Sequence, residues 1–262
     1  MGSEMCIRDR HSLSPIPEHQ PLCSTCQHQS MTSLDKAIIV AVDGFSSSGK
    51  STMARRLASV VGYRYIDSGA MYRAVTLYAM RHGMIADNGD LDTAALIDAL
   101  PSIVIDFRPE PGGRQSTLLN GEDVEDEIRT LAVSNNVSPV SAVPEVRKAL
   151  TAMQQDFGRR RGIVMDGRDI GTTVFPDAEL KLFVEASPET RARRRMLELQ
   201  SKGQQATYED VLANIVKRDH IDTTRKESPL RCASDAIRID NSEMTPDEQD
   251  ALVLKLFNDA TA

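Results

Sequence analysis

Tryptophan is absent from this chain, and all aromatic residues together make up only 4% of it. A platform for stacking the bases of a single strand needs several aromatic rings, so that class of function is disfavoured. Positive charge is also short, with 31 Lys and Arg against 38 Asp and Glu and a net charge of −7. No global basic field favours nucleic acid, and any bound anion must be held by local arginines. No apolar run approaches the roughly 20 residues needed to cross a bilayer, so no membrane span or membrane partner is expected. Cysteine is sparse, at four in 262 residues, which fits a reduced, cytoplasmic protein. Cys23 and Cys26 have zinc-ligand spacing, but no second pair follows, and His19 and His28 are weak candidates to complete a site. The expectation there is a tail without a metal.

Residues 1–33 differ in character from the rest. They are rich in Ser, Pro, His and Gln, show no apolar periodicity, and lack the apolar centre of a signal peptide. The expectation is a disordered or artefactual tail, with Met31 as an alternative start. The remaining 229 positions, 34–262, carry the apolar content for one large domain with small inserts.

What the chain does contain is a complete phosphate loop. Residues 44–52 read Gly44, Phe45, Ser46, Ser47, Ser48, Gly49, Lys50, Ser51, Thr52, which is G-x-x-x-x-G-K-[ST]. The apolar run 37–42 before it reads as a strand and residues 53–60 after it as a helix, the context the motif requires. Loop N–H groups and the helix start have no intrahelical partner and can wrap a polyphosphate. Lys50 is then placed against the β- and γ-phosphates and Ser51 against Mg²⁺.

Beyond the loop, the pattern predicts short strands at 63–66, 162–165, 180–184 and 236–239. Helices are predicted over 70–82, 92–100, 125–133, 144–157, 187–202, 208–218 and 246–257. Strands alternating with helices argue for an α/β fold with a parallel sheet covered on both faces. Residues 103–124, with a Pro-Glu-Pro-Gly-Gly turn and an Asn-Gly pair, read instead as a small antiparallel unit inserted into that rhythm.

Three constellations carry candidate chemistry. Asp67, Ser68 and Arg73 follow the second strand, at the strand end where such sheets bind ligands. Arg73 can grip a phosphate as a bidentate fork, or the group is a helix cap with a surface arginine. Asp166 ends another core strand, where an Mg²⁺-organising carboxylate is expected. Adjacent Arg168 and Asp169 can bind a phosphate and a base edge, or pair with each other. Arg191, Arg193, Arg194 and Arg195 form a cluster with no acid among them, a self-repulsive arrangement that an anion would relieve. Arg218, Asp222 and Arg225 follow. A closing, arginine-bearing lid is the functional reading, and a solvated helix the bland one.

In this order, the segments 43–44, 67–73, 119–124, 127–130, 144–147, 166–172, 174–178 and 194–200 resemble bacterial cytidylate kinases, a family of nucleoside monophosphate kinases. The resemblance covers about residues 36–260. It implies a P-loop NTPase fold with a five-stranded parallel core sheet and ATP-dependent phosphorylation of CMP and dCMP with Mg²⁺, carried out by a monomer. Residues 34–70 and 159–262 then form the core, with a lid near 191–225. Residues 71–158 form the monophosphate-binding region, with its antiparallel insert near 103–124. By position, Arg73 and Arg147 resemble phosphate ligands, and Ser138, Arg168 and Asp169 readers of the cytosine. Ser68 joins them, Asp222 resembles a sugar-hydroxyl ligand, and Arg225 a phosphate or lid contact. Arg195 and Arg218 resemble the arginines on the ATP side. The chain departs from the family pattern at Phe45, Ser47 and Ser48, which leaves the motif-defining positions intact. A UMP or AMP kinase of the same architecture, or a non-catalytic ATP-binding switch, are the competing readings. The Arg168-Asp169 pair with Ser138 argues for cytosine, because uracil reverses part of the donor and acceptor pattern.

Overall fold

Val40, Ala41 and Val42 are fully buried although successive side chains of a strand point to opposite faces. The strand they belong to, β1 (Ile39–Gly44), therefore lies in the middle of a sheet covered on both sides. The computed structural model describes residues 37–110, 114–201, 203 and 205–262, all within the unit Lys36–Ala262. The tail 1–33, with its cysteine and histidine candidates, and the turn tip at 111–113 lie outside the described residues.

Five parallel strands form the main sheet: β1, β2 (Arg64–Asp67), β6 (Ile163–Gly167), β7 (Leu180–Glu185) and β8 (Ile237–Asp240). Their order is β2-β6-β1-β7-β8, with Ile39 opposite Ile163 on one side of β1 and Val40 opposite Leu180 on the other. A second sheet is antiparallel and contains β3 (Ile105–Glu110), β4 (Arg114–Leu119) and β5 (Glu122–Asp123). This is the inserted unit expected from the change of texture at 103–124.

Helices α1 (Lys50–Val61) and α8 (Pro246–Thr261) pack on one face of the main sheet, in a cluster that includes Val40, Val42, Leu57, Leu182, Val253 and Phe257. On the other face, α2 (Ser68–Arg81), α4 (Leu131–Ala142) and α5 (Pro144–Gly158) share a larger cluster with Ala41, Ile66 and Met165. α3 (Thr93–Ala99) contributes Leu96 to it. The last two helices, α6 (Pro188–Ser201) and α7 (Tyr208–Thr224), meet over a small core of their own formed by Ala192, Leu199, Val211 and Ile215. Among the described residues, no helix is long and apolar enough to cross a membrane.

One expected helix is corrected. Residues 125–133 do not form a single element: Glu127–Arg129 is one 3₁₀ turn, and α4 starts only after Thr130. Thr130 is extended (φ −67°, ψ 159°), and its side chain accepts the Val133 N–H, the arrangement of a helix cap. The α4 helix then continues through Pro139, which disguised it in the sequence because an interior proline removes a backbone donor.

Candidate active site

The phosphate loop begins where β1 must turn away from β7. Gly44 has φ +153°, and a Cβ there would lie 2.2 Å from the Val184 carbonyl oxygen, so glycine alone fits that close approach. Ser47 and Gly49 also have positive φ, at 59° and 88°. The chain is thereby folded back so that Lys50 opens α1 with its Nζ donating to the Phe45 carbonyl at 3.1 Å. Burial, followed by the charge of Arg168, pushes the Lys50 ammonium down to about 7. An incoming polyphosphate would restore its charge.

Ser51 Oγ donates to Asp166 Oδ2 at 2.6 Å, and Tyr65 donates to the other oxygen, Oδ1, at 2.6 Å. Ser68 Oγ donates to the Asp166 carbonyl at 2.7 Å. Burial and the adjacent Asp67 carboxylate push the Asp166 carboxyl up. The Ser51–Asp166 pair is thus an oxygen-only donor set at the end of two parallel strands.

Across the same cavity, of about 500 Å³, the polar side chains form linked ion pairs. Asp67 Oδ2 accepts from both Arg73 and Arg129 at 3.0 Å. Burial alone would raise the Asp67 carboxyl, but these two guanidinium groups outweigh it and hold it below the usual range. Arg147 Nη2 donates to Asp169 Oδ2 at 2.6 Å with both side chains buried, and Arg225 lies 3.7 Å from Oδ1. Arg168 Nε donates to Asp222 Oδ2 at 2.8 Å. Arg168 and Asp169 therefore do not pair with each other; each is turned to a partner on a different helix. Arg73, Arg147 and Arg218 each keep a buried Nε–H without a hydrogen-bond partner, which is donor capacity for an anionic ligand.

The arginine cluster of α6 requires a correction. It is not uncompensated, because the acid comes from α7: Arg191 is buried and makes a two-pronged bond to Asp219 at 3.0 and 2.7 Å. The same guanidinium reaches the Ser46 carbonyl at 3.4 Å and lies 5.1 Å from the centre of the Phe45 ring. Arg194 donates to the Ser48 carbonyl at 3.1 Å and to Asn241. Arg191 and Arg194 thus hold carbonyls of the phosphate loop, and Arg194 also lines the cavity. Arg195, which also donates to Glu198, and Arg218 line the cavity itself. Burial, followed by Arg168, lowers Arg218 to about 10.

Of the loop positions anticipated as ligands, Ser46, Ser47, Gly49, Lys50, Ser51 and Thr52 line the cavity, whereas Gly44, Phe45 and Ser48 do not. Asp67, Ser68, Arg73, Ser138, Arg147, Asp166, Arg168, Asp169, Asp222 and Arg225 all do. Arg129 and Tyr65 escaped the sequence reading. Arg129 sits in a short 3₁₀ turn beside Glu127, and although segment 127–130 belongs to the family resemblance, nothing local shows that it reaches Asp67, 62 residues earlier. Tyr65 was findable, because it sits two residues before Asp67 on the same strand and so shares its face.

The sequence model of the family described as Cytidylate kinase matches residues 40–259. The chain belongs to the cytidylate kinase family. It is 58% identical over 216 residues to the cytidylate kinase of Bacteroides thetaiotaomicron, covering 82% of this chain and 93% of that one. The cytidylate kinase of Parabacteroides distasonis is 56% identical over 226 residues, covering 86% of this chain and 98% of the relative. For that of Flavobacterium johnsoniae the identity is 55% over 225 residues, with 86% and 97% covered. A cytidylate kinase must seat two nucleotides, and the cavity has two chemically distinct sides, a backbone-rich loop and a set of arginine–carboxylate pairs.

Proposed function

We propose that the protein transfers the γ-phosphoryl group of ATP to CMP and dCMP, giving ADP with CDP or dCDP. The observation that carries this reading is the buried Arg147–Asp169 pair facing the phosphate loop across one cavity. A carboxylate fixed by arginine is an acceptor for the exocyclic amine of cytosine, and the arginine beside it is a donor for the ring. Two roles implied by the resemblance change places: Arg147, paired with Asp169, goes with the base, and Arg168, turned to Asp222, joins Arg73 on the acceptor phosphate. Ser68 and Ser138 orient the nucleotide, and Asp222 and Arg225 bind at the sugar and lid side. Lys50 follows the β- and γ-phosphates of the donor, and Arg195 and Arg218 close on the charge that builds up between the two nucleotides. The acceptor phosphate is itself an ionised nucleophile, so positioning and charge stabilisation carry the transfer without a general base.

Mg²⁺ suits the Ser51 hydroxyl and Asp166 carboxylate, which are hard oxygen donors. Two such donors are the sparse protein coordination that Mg²⁺ accepts when phosphates and water complete its shell. Bound there, it supplies charge neutralisation on the transferred phosphates. In this reading residues 34–70 and 159–262 are the core with its lid near 191–225, and 71–158 the acceptor region. We further propose a monomeric, cytoplasmic enzyme acting on free nucleotides.

A coupled ADP-release assay with CMP, dCMP, UMP, AMP and GMP as acceptors tests the proposal. CMP and dCMP should give the highest kcat/KM. A higher value for UMP or AMP would overturn the cytosine assignment, and ATP binding without ADP release would point to a switch protein.

A further inference from the structure

Asp169 precedes a single π-type turn, Ile170–Val174, and so occupies the position from which a side chain normally caps such a turn. It does not do so. Its backbone carbonyl accepts the Thr173 N–H at 2.9 Å, but its carboxylate points to Arg147 and Arg225. The turn's first N–H groups still need acceptors, because a helical start leaves them unpaired. Asp43 supplies them from a different strand: Oδ1 accepts the Ile170 N–H at 2.8 Å and Oδ2 the Gly171 N–H at 2.7 Å. Asp43 is buried, at 4% exposure, and makes no ion pair within the salt-bridge distance among the described residues. Burial pushes its carboxyl up to about 7 against the pull of those two bonds. Lys181 lines the other side of the turn, with its Cδ 3.2 Å from where a Gly171 Cβ would be. Nothing about a parallel sheet requires a carboxylate here, and its burial is unfavourable unless the bonds it makes matter.

We propose that Asp43 is a positioning residue for the acceptor: by capping the 170–174 turn in place of Asp169, it leaves the Asp169 carboxylate free to face the bound nucleotide. The proposal rests on the reading of Asp169 as a base-recognising residue. Asp43 is also the last residue before Gly44, so the element that starts the donor loop fixes the acceptor-reading turn. Without the cap, Asp169 holds the N-cap position from which a side chain can take up the turn's open donors, at the expense of its bond to Arg147.

Asp43→Asn keeps the size of the side chain but offers one good acceptor in place of two. It should raise KM for CMP about five-fold, the size of effect expected from losing a cap, with the Kd for ATP changed less than two-fold. The double-mutant cycle with Asp169→Ala decides the mechanism. If Asp43 acts through Asp169, Asp43→Asn has no further effect on KM for CMP in the Asp169→Ala background. An undiminished effect there, or a fall in Tm with KM for CMP unchanged, overturns the proposal. If Asp169→Ala alone leaves CMP use intact, the underlying base-recognition reading fails instead, separately from the capping role. Should Asp43→Asn not fold, Asp43→Ser offers a smaller side chain with one oxygen in place of the two that accept the Ile170 and Gly171 N–H groups. It should raise KM for CMP in the same direction, and an unchanged KM overturns the proposal.

Discussion

The two sides of the cavity are built on opposite plans. In the proposed assignment the donor side centres on one continuous loop, 44–52, shaped by glycine geometry and the start of α1, with Arg195 and Arg218 beside it. The acceptor side, in the same assignment, draws Arg73 from α2, Arg129 from a 3₁₀ turn, Arg147 from α5, Arg168 and Asp169 from the end of β6, and Asp222 and Arg225 from α7 and its end. Its charges are already matched by neighbouring carboxylates. A backbone cradle is indifferent to what lies beyond the phosphates. A set of prearranged side-chain pairs can discriminate, because a wrong ligand leaves buried charges without partners.

The comparison breaks most visibly at Lys50. Lys50→Met should lower kcat by about 10³-fold, in the range seen when one charge-stabilising group is lost. Circular dichroism should remain native, and near-normal turnover would remove Lys50 from the donor side. Asp169→Ala tests the opposite side and should reduce kcat/KM for CMP by about 10²-fold while the ATP Kd stays within two-fold. It also leaves Arg147 buried, at 4% exposure, with its closest carboxylate gone, so thermal unfolding should show a loss of about 3 kcal/mol. Equal losses for both nucleotides would mean that the two sides are not separable.

A smaller effect sharpens the comparison through pH. The free Lys50 ammonium titrates near 7, and a bound triphosphate favours its charged form. Below pH 7 binding requires no proton. Above it each binding event must take one up, so the ATP Kd should rise with pH by up to about ten-fold per unit. A flat profile between pH 7 and 8.5 would show that Lys50 stays charged in the free enzyme. The smallest change is expected from deleting residues 1–30, which should leave kcat/KM within about two-fold if both sides belong to 34–262.

This contrast also explains what the sequence made legible. The donor loop was readable because its chemistry is local, with spacing alone placing glycines, lysine and hydroxyl. Asp67 and Asp166 were readable as strand ends. The Arg191–Asp219 bond was not, because its partners lie 28 residues apart on two helices, and the arginine cluster read alone looked like unrelieved repulsion. The helix bearing Ser138 was missed because Pro139 contradicts local propensity, whereas Val133, Val137 and Val140 are buried by tertiary packing. Asp43 was visible as part of a motif, but its task depends on a turn 127 residues later.

The central place of β1 has a consequence for how the protein is made. Both neighbours of β1 are encoded far downstream, at 163–167 and 180–185. A nascent chain therefore exposes the whole nucleotide motif early in synthesis, yet has nothing to hold Gly44 beside Val184 until β7 has left the ribosome. Such long-range pairing is slow and favours late assembly. A fragment ending at residue 160 would carry every motif residue of the loop and should bind no ATP.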